Sequence, residues 1–173
     1  MNITSGIYNG RKIIVPDEKI TRPTLSKIRM GVFNTLYSIM GDFTGCSFLD
    51  VFGGSGIMGL EAISRGFSYV KVIEQNKKAA DIIKKNYNSL GLIPNLIIGD
   101  SVKILKNSNY VYDVVYIDPP YKSGLYEDIL PLANGKIIIL ESSQSINLEN
   151  YDIIKSKTYG GNIITFIKNP LNA

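Results

Sequence analysis

Apolar positions along the chain follow two periods, and the change between them marks the elements. Ile3–Ile7 and Arg11–Val15 are short β-type runs joined by Tyr8-Asn9-Gly10, where Asn-Gly signals a tight turn, so a small N-terminal hairpin is expected. After Arg22-Pro23, Leu25, Ile28, Val32, Leu36, Ile39 and Met40 recur at helical spacing up to Gly41, with Thr24 placed to cap the helix. From Cys46 onward, β-type runs alternate with helical stretches. Strands are expected at Ser47–Phe52, Tyr69–Glu74, Asn95–Ile98, Tyr112–Asp118 and Lys136–Leu140. Helices are expected at Gly56–Arg65, Asn76–Leu90 (capped by Asn76), Ser101–Lys106 and Tyr126–Ala133. The strands are nearly continuous Ile, Val and Leu, as in a parallel sheet covered by helices on both faces. The last two runs, Tyr151–Thr158 and Asn162–Lys168, flank Tyr159-Gly160-Gly161 and predict an antiparallel pair closing the sheet. The resulting organisation is an N-terminal extension over 1–23 and an α/β body over 24–173, with no internal repeat.

Composition narrows the chemistry. The 173 residues are 45% hydrophobic and 20% charged, which suits a globular core. With no His and one Cys, Cys46, a His–Glu zinc helix, a cysteine cluster and Ser–His or Cys–His nucleophiles are all ruled out. No metal site is expected, and neither is a membrane span, because polar residues interrupt every apolar run. The single Cys and the absence of a signal-peptide pattern in Met1–Lys12 point to the cytoplasm. Net charge is +4, and the first 30 residues carry that whole excess: Arg11, Lys12, Lys19, Arg22, Lys27 and Arg29 against Asp17 and Glu18. Such an arm suits a polyanion, although a solvated face has the same composition.

Two constellations carry chemistry. The first is Asp50-Val51-Phe52-Gly53-Gly54-Ser55-Gly56, leaving a strand and entering a helix. Its glycines allow a tight turn and a close approach of backbone to ligand. Glu74, with Gln75 beside it, closes the next strand about 20 residues on, where a carboxylate accepts from a ribose diol. Gly54–Gly59 also matches GxGxxG, so a dinucleotide site stays open, as does an ordinary strand-to-helix turn. Asp100, in Ile98-Gly99-Asp100-Ser101, can accept from an adenine amino group or simply cap the following helix. The second constellation is Asp118-Pro119-Pro120-Tyr121. Two prolines force a rigid, extended exit from the strand, fixing the Asp118 carboxylate and the neighbouring carbonyls, while Tyr121 offers a face to a flat ring. An amine on a heteroaromatic base is a poor nucleophile until acceptors hold its N–H groups and turn its lone pair outward, and this motif supplies such acceptors.

Asp50–Gly56, Glu74, Asp100 and Asp118–Tyr121 together resemble the S-adenosylmethionine-dependent class I methyltransferases that modify exocyclic amines. Gly6, Gly10-Arg11-Lys12, Arg22-Pro23-Thr24, Arg29, Phe33-Asn34, Gly59–Gly66 and Tyr159-Gly160 narrow the resemblance to the bacterial 16S ribosomal RNA guanine 2-amino methyltransferases. That resemblance implies a Rossmann-like seven-stranded sheet, mostly parallel, with a C-terminal antiparallel hairpin and a small N-terminal hairpin. It implies S-adenosylmethionine contacted by the turn Phe52, Gly53, Gly54, Ser55 and Gly56 at its methionine part, by Glu74 at its ribose hydroxyls and by Asp100 at its adenine, with Asp50, Gln75 and Ser101 also in the cofactor site. Asp118 and the Pro119 carbonyl would hold the target amine, with Pro120 stiffening the turn and Tyr121 stacking on the guanine. Arg11, Lys12, Arg22, Thr24 and Arg29 would face ribosomal RNA, either alone or in the small subunit or its assembly intermediates. The chain departs from the family pattern at Leu25-Ser26, at Met30 and at Gly53, where the family often has Ala. Rival readings are an adenine 6-amino methyltransferase of DNA or RNA, a nicotinamide-dependent oxidoreductase, and a non-catalytic RNA-binding module.

Overall fold

The computed structural model describes residues 1–16, 25–120 and 124–169. In chain order the elements are α1 (Ser26–Met40), β1 (Ser47–Asp50), α2 (Ile57–Ser64), β2 (Tyr69–Glu74), α3 (Lys77–Asn88) and β3 (Asn95–Ile98). There follow α4 (Ser101–Lys106), β4 (Tyr112–Ile117), α5 (Tyr126–Ile129), a 3-10 turn (Leu130–Leu132), β5 (Gly135–Ser142), β6 (Asp152–Tyr159) and β7 (Asn162–Lys168). The seven strands form one sheet in the order β3-β2-β1-β4-β5-β7-β6. The first five are parallel, and β7 runs antiparallel between β5 and β6.

The order reverses between β1 and β4, and in an open parallel sheet such a switch opens a crevice beyond the strand ends. Asp50 pairs with Tyr116 there, and the Val51 N–H donates to the Tyr116 carbonyl at 3.0 Å. Both chemical constellations therefore leave the sheet side by side. Period-two alternation along the strands builds a core on each face. Phe48 and Tyr116 face Val32, Phe33 and Leu60 from α1 and α2, while Leu49, Val115 and Ile117 face Ile129 and Leu130 on the other side.

Local expectations change in the structure at several places: β1 stops at Asp50 rather than Phe52 and α3 at Asn88 rather than Leu90, and four further changes have visible causes. The N-terminal hairpin shrinks to one bridge, Asn2 with Lys12. Residues between leave the pairing to dock on α2: the Ile7 N–H donates to the Ser64 carbonyl at 2.8 Å and the Tyr8 N–H to Ser64 Oγ at 2.9 Å. Gly6 permits this, since its φ is +81° and a Cβ there would overlap the Ser64 carbonyl. Next, the cap position of α1 is Leu25, which makes no side-chain cap; the expected cap Thr24 lies outside the described residues, as does the expected domain boundary at 23/24. The stretch expected as one helix over 126–133 breaks into a single α turn and a 3-10 turn, because Pro131 has no N–H to donate. Finally, β5 runs to Ser142 rather than stopping at Leu140, because the polar Glu141 is buried with partners of its own.

Candidate active site

The glycine turn is held open from below and from the side. The Gly53 N–H donates to the Ile73 carbonyl (2.8 Å) and the Gly56 N–H to the Gly53 carbonyl (2.7 Å). Gly56 starts α2 at φ +78°, a left-handed conformation that side chains other than glycine rarely take. A Cβ on Gly53 would overlap Val72 Cγ1 and lie 2.9 Å from Ile83 Cδ1. In this chain Val72 and Ile83 fill the space that a side chain at this position would need.

Glu74 is buried and works as the second wall of that turn. Its Oε2 accepts from the Gly54 N–H and its Oε1 from the Asn76 N–H, both at 2.7 Å. The carboxylate thus ties the glycine turn to the start of α3, where Asn76 Oδ1 caps the helix by accepting from Lys78 and Ala79. Gln75 is exposed beside it, and Phe52 is half-buried. On the next loop, exposed Asp100 caps α4 by accepting from the Lys103 N–H at 2.9 Å. Buried Ser101 donates to the Val51 carbonyl at 2.9 Å and so pins the turn's first residue.

Asp50 stands apart electrostatically. It is 1% exposed, and neither of its carboxylate oxygens has a partner at full hydrogen-bonding geometry, the Phe52 and Gly59 N–H groups being its nearest donors. Burial pushes its pKa up to about 7; the Glu74 charge pushes the same way, while the Phe52 and Gly59 backbone N–H groups oppose the rise. Among the described residues, the other buried side-chain group without a partner is the Tyr87 hydroxyl, which lies where a Cβ on Gly59 would be. Its pKa is also raised, first by burial and then by the Asp50 charge. An unpartnered buried carboxylate is costly unless something supplies a donor or a cation. Asp50, at the foot of a turn that exposes backbone to a ligand, therefore fits the α-ammonium end of S-adenosylmethionine.

Across the crevice, β4 delivers Asp118 half-buried, Pro119 buried and Pro120 exposed; Tyr121 lies outside the described residues. Beside them is a group that the sequence reading missed. Buried Glu141 accepts a hydrogen bond from the Tyr116 hydroxyl and a 2.7 Å bond from Asn162 Nδ2, and its carbonyl accepts from the Tyr126 hydroxyl at 3.2 Å. The last paired residues of β4 and β5 are Ile117 and Leu140, so Asp118 and Glu141 come next along neighbouring strands. The Tyr116 pKa is raised by burial first, then by the Glu141 and Asp118 charges. A legible signal existed: a carboxylate following an apolar strand that neighbours the strand of Asp118.

The expected RNA-facing residues separate. Arg11 and Lys12 are exposed, with Arg11 Nη2 donating to the Ser89 carbonyl at 3.1 Å; Arg22 and Thr24 lie outside the described residues. Arg29, expected to face RNA, is wholly buried instead. Its Nε pairs with Glu61 at 3.1 Å, its Nη2 donates to the Asn2 carbonyl at 2.8 Å and to Ser26 Oγ at 3.2 Å, and its Nη1 reaches Met1 Sδ at 3.0 Å. Glu61 also accepts from Thr4 and Arg65, so the cluster clamps the N-terminal segment between α1 and α2. No group of three or more His, Cys, Asp or Glu placed to hold a metal occurs among the described residues, and no described helix is long and apolar enough to cross a membrane.

Strand order, glycine turn and proline-stiffened exit together define a Rossmann-like methyltransferase domain. Residues 1–168 match the family described as conserved hypothetical protein 95, and the chain belongs to it. It is 36% identical over 143 residues to ribosomal RNA small subunit methyltransferase D of Buchnera aphidicola (subsp. Acyrthosiphon pisum), covering 82% of this chain and 73% of that one. Against the protein of the same name from Escherichia coli K12, identity is 32% over 172 residues, covering 92% and 85%. Among solved structures, a putative methyltransferase, yhhF, from Escherichia coli superposes with TM-score 0.84 at 26% identity, covering 98% and 97%. A putative methylase, HI0767, from Haemophilus influenzae gives 0.75 at 30% identity, with 98% of each chain covered.

Proposed function

We propose that this chain transfers a methyl group from S-adenosylmethionine to the exocyclic 2-amino group of a guanine in small-subunit ribosomal RNA. The observation that carries the reading is the pairing across one crevice of an unpartnered buried carboxylate, Asp50, with the proline-stiffened Asp118. The relatives named as small-subunit ribosomal RNA methyltransferases support the substrate class.

S-adenosylmethionine, when bound, supplies an electrophilic methyl group on a good sulfur leaving group. In this reading Asp50 accepts from the ammonium of its methionine part and Glu74 offers its remaining lone pairs to the ribose hydroxyls. Asp100 faces the adenine, and the Gly53–Gly56 turn gives backbone access. The protein's own work is orientation and acceptance of charge. The Asp118 carboxylate and the Pro119 carbonyl take the two N–H groups of the guanine amine, turning its lone pair toward the electrophile. Asp118 then receives the proton that the amine loses. Tyr121 is assigned to the face of the base by its place in the motif.

Transfer of labelled methyl to small-subunit RNA and particles, followed by nucleoside analysis, tests this. Label in 2-methylguanosine is expected, with none above background for Asp118→Ala although that variant's cofactor affinity changes little. Label in 6-methyladenosine would keep the mechanism and overturn the base. Undiminished turnover by Asp118→Ala would remove that residue from the reaction.

A further inference from the structure

Outside the crevice, the largest unexplained feature is where the folded chain collects its positive charge. In the α3 wheel, Lys77, Lys78, Asp81, Lys84, Lys85 and Asn88 fall within an arc of about 120° at 100° per residue, all exposed. Ala79, Ala80, Ile83, Asn86 and Tyr87 fill the opposite arc and are buried. Beside the cationic arc lies the N-terminal segment. Ile14 N–H donates to Asn86 Oδ1 (2.9 Å), Asn86 Nδ2 returns a bond to the Ile14 carbonyl (2.8 Å), and Arg11 reaches the Ser89 carbonyl. Those bonds lay exposed Arg11 and Lys12 beside the C-terminal half of α3, the half that carries Lys84 and Lys85.

One ridge therefore carries six cations against one acid, a balance of +5, while the whole chain carries +4. The sequence split hides this, because residues 31–173 are neutral in sum and the acids that cancel the α3 lysines fold elsewhere. The single acid, Asp81, pairs with Lys84 at 3.3 Å with both side chains well exposed, an interaction too weak to neutralise the ridge. The ridge is ~18 Å long, 12 helical residues at 1.5 Å each. It begins at Asn76, two residues from Glu74 in the crevice.

We infer that the α3 ridge, completed by Arg11 and Lys12, is a track for the RNA sugar-phosphate backbone leading to the crevice. The inference rests on the proposed RNA substrate and goes beyond it, because it assigns Lys77, Lys78, Lys84 and Lys85 to the phosphates. Such cations position the nucleic acid without reading its sequence and make affinity fall with salt.

The test is binding of a small-subunit ribosomal RNA transcript by the full chain over a salt series, with methyl transfer to the same RNA measured in parallel. The quadruple variant Lys77, Lys78, Lys84 and Lys85→Gln is compared with a control of equal charge loss, Lys103, Lys106, Lys155 and Lys168→Gln. For the α3 variant the salt slope should shrink by ~0.7–0.9 for each phosphate no longer neutralised, roughly three units in all, and affinity should fall at least about tenfold. S-adenosylmethionine affinity should stay at the wild-type value. The control should keep nearly the wild-type slope. A wild-type slope in the α3 variant, or equal losses in both variants, overturns the track while wild-type methyl transfer keeps the function. Absence of both RNA binding and transfer in the wild type overturns the function, and the track with it.

Discussion

Two of the buried charged side chains in this protein, Arg29 and Asp50, are treated in opposite ways. Arg29 is fully enclosed, yet Glu61, Ser26 Oγ, the Asn2 carbonyl and Met1 Sδ surround its guanidinium. Asp50 is enclosed to nearly the same degree, and neither of its oxygens has a partner at full hydrogen-bonding geometry. A charge whose partners come from three separate segments holds the chain together. A charge with none is kept at a cost to the fold and becomes useful when a ligand brings the missing donor.

Removing each charge should therefore do different damage. Arg29→Ala leaves Glu61 buried without its main cation and frees the N-terminal segment. A stability loss of ~3–5 kcal/mol is expected from the urea midpoint. Cofactor affinity, measured where the variant is still folded, should hold. A loss under ~1 kcal/mol would break the comparison from the structural side.

Asp50→Asn should weaken S-adenosylmethionine binding about 10- to 100-fold, the range for losing a hydrogen bond to a charged group worth ~1.5–3 kcal/mol. Its effect on stability should have the opposite sign. Asp50 holds its proton to about pH 7 when folded against 3.8 for the free side chain. Folding therefore takes up a proton between those values, and stability falls as pH rises across that window. Asp50→Asn has no charge to bury, so its melting temperature should exceed the wild type's at about pH 8 and approach it near pH 5. Melting curves at the two values check this.

The smallest effect sharpens the contrast. Lys84→Gln breaks the exposed Asp81 pair, and stability should move by less than ~0.5 kcal/mol in the same urea titration. A pair in water and a pair in the core have the same geometry on paper but different surroundings.

Much of the architecture was legible because parallel strands announce themselves as apolar runs. Tyr69–Glu74, Asn95–Ile98 and Asn162–Lys168 begin and end where the pattern says, and Asn76 caps α3. What failed depended on partners distant in sequence. Arg29 read as an RNA-facing cation from its charge, although it lies four residues from Leu25 and three from Val32, on the apolar side of α1. Its partner Glu61 is 32 residues away. Glu141 read as lying just past the end of its strand, because the Tyr116 and Asn162 donors that bury it come from other strands. The Asp118 motif was visible as local chemistry, whereas its closeness to the Asp50 turn needed the β1–β4 register.

The central claim is that the unpartnered Asp50 carboxylate receives the cofactor's ammonium, and calorimetric titration of S-adenosylmethionine across pH tests it most directly. One site per chain is expected, with affinity that rises as Asp50 ionises through about pH 7 and falls again above the pKa of the ligand's own amine. In Asp50→Asn the acid limb should vanish. Equal affinity about one unit below and one unit above the Asp50 pKa, unchanged by Asp50→Asn, would contradict the assignment and return Asp50 to an unexplained buried charge.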